Sequence, residues 1–159
     1  MHFHADLHGT SRFTGAIRPE LDAAWESVVE TNLILIDEQS MDALKEPKEN
    51  ATKLGDKYFA VVEVFHQLHC VDLIRKYIHR DNYPDYMAFQ DPESTVLAHV
   101  DHCVDLIRQV IQCNGDVGLV VFDNMGPGNA PQPRFSNRHT CRDFGAIQKW
   151  VKDHSWEGH

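Results

Sequence analysis

The sequence predicts a mainly α protein: an antiparallel pair of long, repeat-related helices with additional short helices, long loops and a little β structure. Three observations carry that prediction. The phrase His66-Gln-Leu-His-Cys-Val-Asp-Leu-Ile-Arg75 recurs 33 residues later as His99-Val-Asp-His-Cys-Val-Asp-Leu-Ile-Arg108, and the stretch from His69 to Arg75 is identical in both copies. Around each copy, apolar residues return every three to four positions, the period of a helix. Between the copies, the connection from Arg80 to Gln90 holds Asn82, Pro84 and several aromatics, enough chain to turn back on itself.

The elements follow in order. Residues 1–18 read as an extended lead-in, with Gly9, Gly15 and Ser/Thr residues interrupting any period. Pro19 opens a short helix through Leu21, Ala24, Trp25 and Val28. Leu33 to Ile36 is a short strand, and Asp37 caps another short helix through Met41 and Leu44. Residues 45–57, charged and containing Pro47 and Gly55, are expected to form a surface loop.

The first long helix is expected from about Phe59 to His79. At roughly 100° per residue, Val62, His66, His69, Cys70, Leu73 and Tyr77 fall on one stripe about 100° wide, with Arg75 opposite. The second begins at Asp91-Pro92-Glu93, an acidic cap followed by proline at the first helical position, and runs to about Gln112. Its matching stripe holds His99, His102, Cys103, Leu106, Val110 and Cys113. After Gly115, Val117 to Phe122 reads as a short buried strand. Residues 124–138 form a long loop with three prolines and two glycines, and a closing helix carries Phe144, Ile147, Trp150 and Val151. The domain organisation expected is the lead-in, 1–18, followed by a single domain, 19–159.

Composition bounds the function. Hydrophobic residues at 42% and charged residues at 25% are those of an ordinary folded domain. Twenty-four acidic against 15 basic residues give a net charge of −9, which repels phosphate backbones and anionic membranes, so nucleic acid is not an expected partner. No stretch approaches the roughly 18 apolar residues of a membrane span, and the opening residues lack the pattern of a secretion signal. There is no Gly-x-Ser-x-Gly, phosphate loop, dinucleotide fingerprint or His-Glu-x-x-His.

The repeat carries the chemistry. His66 to His69 is an i,i+3 spacing and His66 to Cys70 an i,i+4 spacing, so one helical face offers three donors, and His99, His102 and Cys103 repeat the set. If the helices are antiparallel about a local two-fold axis, the two sets meet, as one four-histidine centre or as two equivalent ones. Two matched pairs of inward-facing imidazoles are poorly explained by packing, because burying them without partners is costly. Imidazole suits copper, zinc, iron and nickel; the motif lacks the carboxylate of two-His-one-carboxylate iron sites, so copper or zinc lead. Asp72 and Asp105 stand where a carboxylate can orient an imidazole from behind, or can pair at i,i+3 with Arg75 and Arg108. His2, His4 and His8 sit in a polar, aperiodic stretch and read as surface histidines.

The thiols divide. Cys113 lies about 15 Å along the helix beyond Cys103, which disfavours a Cys70–Cys113 bridge. Cys113 with Cys141 is the natural disulfide candidate, leaving Cys70 and Cys103 as a second disulfide or as thiolate ligands.

These motifs and their flanks resemble the UstYa-like oxidases of fungal secondary metabolism. The likeness runs almost continuously from Pro19 to Trp150: Pro19-Glu-Leu-Asp-Ala-Ala-Trp25, Glu63-Val-Phe-His-Gln-Leu-His-Cys70, Tyr77 to Pro84, Cys113 and His139-Thr-Cys141-Arg-Asp143. The segment Asn114-Gly115-Asp116 departs from the usual version. The resemblance implies an oxidase that tailors a small-molecule or peptide natural product by oxidative cyclisation, hydroxylation, desaturation or C–H halogenation. It also implies copper, with iron and zinc as alternatives, held by His66, His69, His99 and His102 with Cys70 and Cys103 alongside, and O2 or peroxide as co-substrate. Association with itself or with related proteins and a secretory-lumen or extracellular location go with it, although many members carry an N-terminal anchor that this sequence lacks, so a cytoplasmic location stays open. The competing function is a non-catalytic interaction module built around structural zinc. The loops 80–92 and 124–138 are expected to rim the substrate site through Tyr83, Tyr86, Phe89 and Phe135, or else to pack those aromatics as ordinary core.

Overall fold

Pro19 stands in the first turn of α1 (Pro19–Val29), where its missing N–H costs nothing, and the helix buries Leu21 and Ala24. The computed structural model describes every residue except His8, Thr31 and His159; the reading of His8 as a surface histidine therefore lies outside the described residues. His2 and His4 are exposed, and the lead-in runs beside the 136–139 loop, with Phe3 N–H donating to the Asn137 carbonyl at 2.8 Å.

After β1 (Ile34–Ile36), the Asp37 carboxylate accepts from the Ser40 N–H at 2.8 Å and so starts α2 (Glu38–Leu44), as its sequence predicts. The charged stretch that follows departs from expectation. It is not all loop: β2 (Lys53–Leu54) turns through Gly55 at φ +62 into β3 (Lys57–Ala60), which pairs antiparallel with both β2 and β1. The helix expected from Phe59 accordingly begins four residues later, as α3 (Glu63–Ile78). Tyr58 and Phe59 favour a pleated strand, and pairing Leu35 with Phe59 satisfies backbone groups that a longer helix would have taken.

Two 3-10 turns, Arg80–Asn82 and Met87–Phe89, carry the chain back to α4 (Glu93–Asn114). Pro92 occupies the capping position of α4, not its first turn, and no side chain caps the helix there. Gly115 ends it in the left-handed conformation at φ +50, its N–H donating to the Ile111 carbonyl. The helices α3 and α4 run antiparallel: His66 faces His102 and His69 faces His99, so advancing along one means retreating along the other. Their seam buries Cys70, Leu73 and Cys103 among Ile74, Val100, Leu106 and Ile107. Full burial of one such leucine is worth about 1.5–3 kcal/mol. A second cluster, Ile34, Phe65 and Val151, joins β1 and α3 to the closing helix α5 (Phe144–Asp153).

The two copies of the repeat are not used alike. Asp72 is 2% exposed and accepts from Arg75 and Lys76 at 2.8 Å each, while Arg75 also donates to Asp22 of α1 at 2.7 Å and to the Tyr83 hydroxyl at 2.8 Å. This knot ties α1 and the 80–92 loop to α3. The identical Asp105 and Arg108 of α4 pair at 2.6 Å on the open surface, where no neighbouring element covers them.

The buried strand expected over Val117 to Phe122 is not found. Only β4 (Val121–Asp123) is strand, it pairs with β5 (Gln132–Arg134) inside the expected long loop, and Val117 and Leu119 are exposed. Val121 and Phe122 of the hairpin are exposed as well, so no layer of the described residues buries the apolar run. Among the described residues, no helix is long and apolar enough to cross a membrane.

Candidate metal centre

The i,i+3 and i,i+4 spacings place His66, His69 and Cys70 on the face of α3 turned to α4, and the second copy does the same for His99, His102 and Cys103. Across the seam the copies pair crosswise. The rings of His66 and His102 lie 5.8 Å apart, nearly parallel, and those of His69 and His99 lie 6.0 Å apart. Exchanging each residue for its counterpart 33 positions away turns one histidine pair into the other and maps the Cys70–Cys103 pair onto itself. The two sulfurs therefore flank the local two-fold axis.

That symmetry is broken in detail. One ligand atom from each of His66, Cys70 and His102 lies within 4.8 Å of the other two, and these are the only three donors from the repeat that converge so closely among the described residues. Donors on one ion at ordinary zinc distances stand roughly 3.3–3.6 Å apart. Side-chain shifts of about an ångström would close the triad on a metal, so the residues present fit one. Cys70 is buried, His66 partly covered and His102 exposed, which leaves one side of the triad open to solvent.

The surroundings act differently on each donor. Burial, and then the hydrogen bond and charge of Cys70, push the Cys103 thiol up to about 12, so Cys103 stays protonated at neutral pH. Of the two sulfurs, it is that of Cys70 that lies with the two imidazoles. Burial, followed by the charges of His99 and His66, lowers the His69 imidazole below its ordinary value and keeps it neutral, the form that binds metals. Glu63 lies 3.6 Å from His66 Nδ1, one turn before it on α3. Its counterpart 33 residues on is the buried Val96, so His99 has no such carboxylate. Sequence reading did not single out Glu63 for a role, although its i,i+3 spacing from His66 was the signal that locates it.

Asp72 does not orient an imidazole; it holds Arg75 and Lys76. No cysteine is in a disulfide: Cys70 and Cys103 are buried thiols, Cys113 and Cys141 are exposed ones, and the expected Cys113–Cys141 bridge is not formed. Of the expected rim aromatics, Tyr83 is engaged by Asp22 and Arg75, and Tyr86 and Phe89 pack ring to ring at 5.0 Å beside Lys76 and Tyr77. Tyr83 and Tyr86 nonetheless line a cavity of about 390 Å³. Phe135 stands exposed past β5. His139 of the closing motif bonds Asp116 at 2.9 Å and Asn137 at 2.6 Å and stacks on Phe3, which makes it a clasp for the loop.

The family described as mycotoxin biosynthesis protein UstYa matches residues 2–154, and the chain belongs to it. It is 37% identical to the UstYa family oxidase phomYc of Diaporthe leptostromiformis over 93% of this chain and 61% of that protein. It is 30% identical to the UstYa family oxidase aprY of Aspergillus flavus over 86% of this chain and 45% of that protein. The transacylase cctO of Talaromyces islandicus is also similar, at 27% identity over 92% of this chain and 53% of that protein. The chain thus spans between 45% and 61% of the length of these three relatives. No solved structure matches it.

Proposed function

We propose that this chain is the metal-holding catalytic unit of an oxidase that tailors a fungal secondary metabolite or ribosomally made peptide. The observation that carries the reading is the convergence of His66, Cys70 and His102 from both copies of the repeat. Three protein donors leave one position of a four-coordinate site free, as catalysis requires and a structural zinc site does not. A donor set of imidazoles and one thiolate suits copper. Copper held there would supply one-electron chemistry with O2 or peroxide, for cyclisation, hydroxylation, desaturation or C–H halogenation. The chain's own contribution is positional: the seam fixes the donors, Glu63 orients His66, and the exposed edge at His102 admits substrate. His69 and His99 form the matching half, close enough to support the same centre or a second ion.

Protein purified without added metal, analysed for metal content and by electron paramagnetic resonance, tests the reading. Copper uptake near one equivalent, with O2- or peroxide-dependent turnover, supports it; stoichiometric zinc with no copper uptake overturns it in favour of the structural module. The similarity to cctO favours a second reading, acyl transfer, and turnover of a pathway substrate without O2 or peroxide would select it. His69→Ala and His102→Ala are expected to abolish activity in a folded protein, and full turnover by both would refute the assignment.

A further inference from the structure

The closing motif's Arg142 has no place in the centre described above, yet it lies on the wall of two cavities. The first, about 560 Å³, runs between the start of α3 and the end of α4 and is bounded by Glu63, Gln67, Asn114 and Arg142, with Phe144 and Ile147 beneath. It adjoins the donor triad, since Glu63 is the residue that touches His66. The second, about 580 Å³, lies on the other side of Arg142 and is almost wholly apolar, walled by Phe3, Phe13, Trp25 and Leu68. Val64, Arg142 and Phe144 belong to both, so the two clefts share a wall and Arg142 borders each.

Among the described residues, Arg142 is the only cationic side chain lining either cleft, and it has neither a hydrogen bond nor an ion pair; the N-terminal ammonium of Met1, which also lines the apolar cleft, donates to the His139 carbonyl at 2.8 Å. Arg75, Arg80, Arg108 and Arg134 each hold a carboxylate, whereas Arg142 keeps its guanidinium free at the mouth of both clefts. The nearby acids are committed elsewhere. Asp143 accepts from the Ala146 N–H and caps α5, and Glu63 is turned to His66. A guanidinium left open between a polar cleft and an aromatic one is matched by a ligand with a carboxylate next to a large apolar group, because the planar fork pairs bidentately with a carboxylate.

We propose that Arg142 anchors the substrate by a free carboxylate, with an aromatic or branched aliphatic group in the apolar cleft and the remainder extending along the polar cleft towards His66. The substrate class is thus a peptide or amino-acid-derived acid, and the inference rests on the oxidase reading for the identity of the reaction, not for the binding itself.

The test uses the whole chain and two probes, N-acetylphenylalanine and its neutral amide, titrated by chemical-shift mapping. The acid is expected to bind more tightly by on the order of tenfold, the scale of a hydrogen-bonded charge pair, with shifts at Arg142, Phe144 and Trp25. Arg142→Gln should remove the preference and leave metal uptake unchanged, whereas Arg138→Gln, outside both clefts, should keep it. Equal binding of acid and amide, no binding of either at millimolar concentration, or a preference that survives Arg142→Gln overturns the proposal. Copper uptake measured on the same samples separates the two failures. In the wild-type chain, no acid preference with normal copper uptake removes the anchor alone, and an acid preference with no copper uptake removes the oxidase reading alone.

Discussion

His66 and His102 stand ring to ring at 5.8 Å, although neither belongs to the other's copy of the repeat. A metal held between them depends on both helices at once. His102→Ala is expected to weaken metal binding by at least about 100-fold, while Glu63→Gln, which removes only the carboxylate behind His66, should cost about tenfold. Competition against a metallochromic chelator measures both. Wild-type affinity in His102→Ala would show that the crosswise pair is not the site.

The two copies of Val-Asp-Leu-Ile-Arg should differ sharply in what their aspartates contribute. Asp72→Ala strands Arg75 and Lys76 in a knot from which solvent is largely excluded, and is expected to destabilise the fold by about 3–5 kcal/mol. Asp105→Ala breaks an open surface pair and should cost no more than about 1 kcal/mol. Urea denaturation of the two variants decides the matter; equal losses would mean that the α1 contact adds nothing.

Acid should loosen the metal-free protein before any carboxylate titrates. The folded chain holds His69 below its ordinary value, so the unfolded chain binds a proton there first as the pH falls. His69 therefore adds no penalty above about pH 6.5, and stability declines as the pH drops from there through the depressed folded value. The urea midpoint is expected to fall between about pH 7.5 and about pH 5.5 and to fall less in His69→Asn. An identical slope in the variant would remove His69 from the explanation.

Thiol labelling should come in two pairs. Cys113 and Cys141 are exposed and should react with iodoacetamide quickly at about pH 8, whereas Cys70 and Cys103 are fully buried, with Cys103 pushed up to about 12, and should wait for unfolding. Mass mapping after a short pulse reads the outcome. Rapid modification of Cys103 would contradict the packing of the seam.

Much of this was legible in the residues themselves. The doubled phrase and its helical period implied two long helices with their histidines on facing stripes, and Asp37 marked a helix start through chemistry that acts within a few residues. The hairpin of β2 and β3 was not legible, because its partner β1 lies some twenty residues away and strand pairing is a long-range fact. Glu63 was within reach of spacing arguments; Arg142 was not, since its place between two clefts depends on elements far apart in the chain.

By itself, then, the sequence determined which side chains share a helical face, since a period of 3.6 residues is local geometry. Only the tertiary structure decided that Cys70 and not Cys103 joins the triad, that one Asp–Arg pair is buried and its twin exposed, and that His66 meets His102. Identical letters acquire different roles because burial and charge depend on what packs against them, and α1 packs on one copy of the repeat and not on the other.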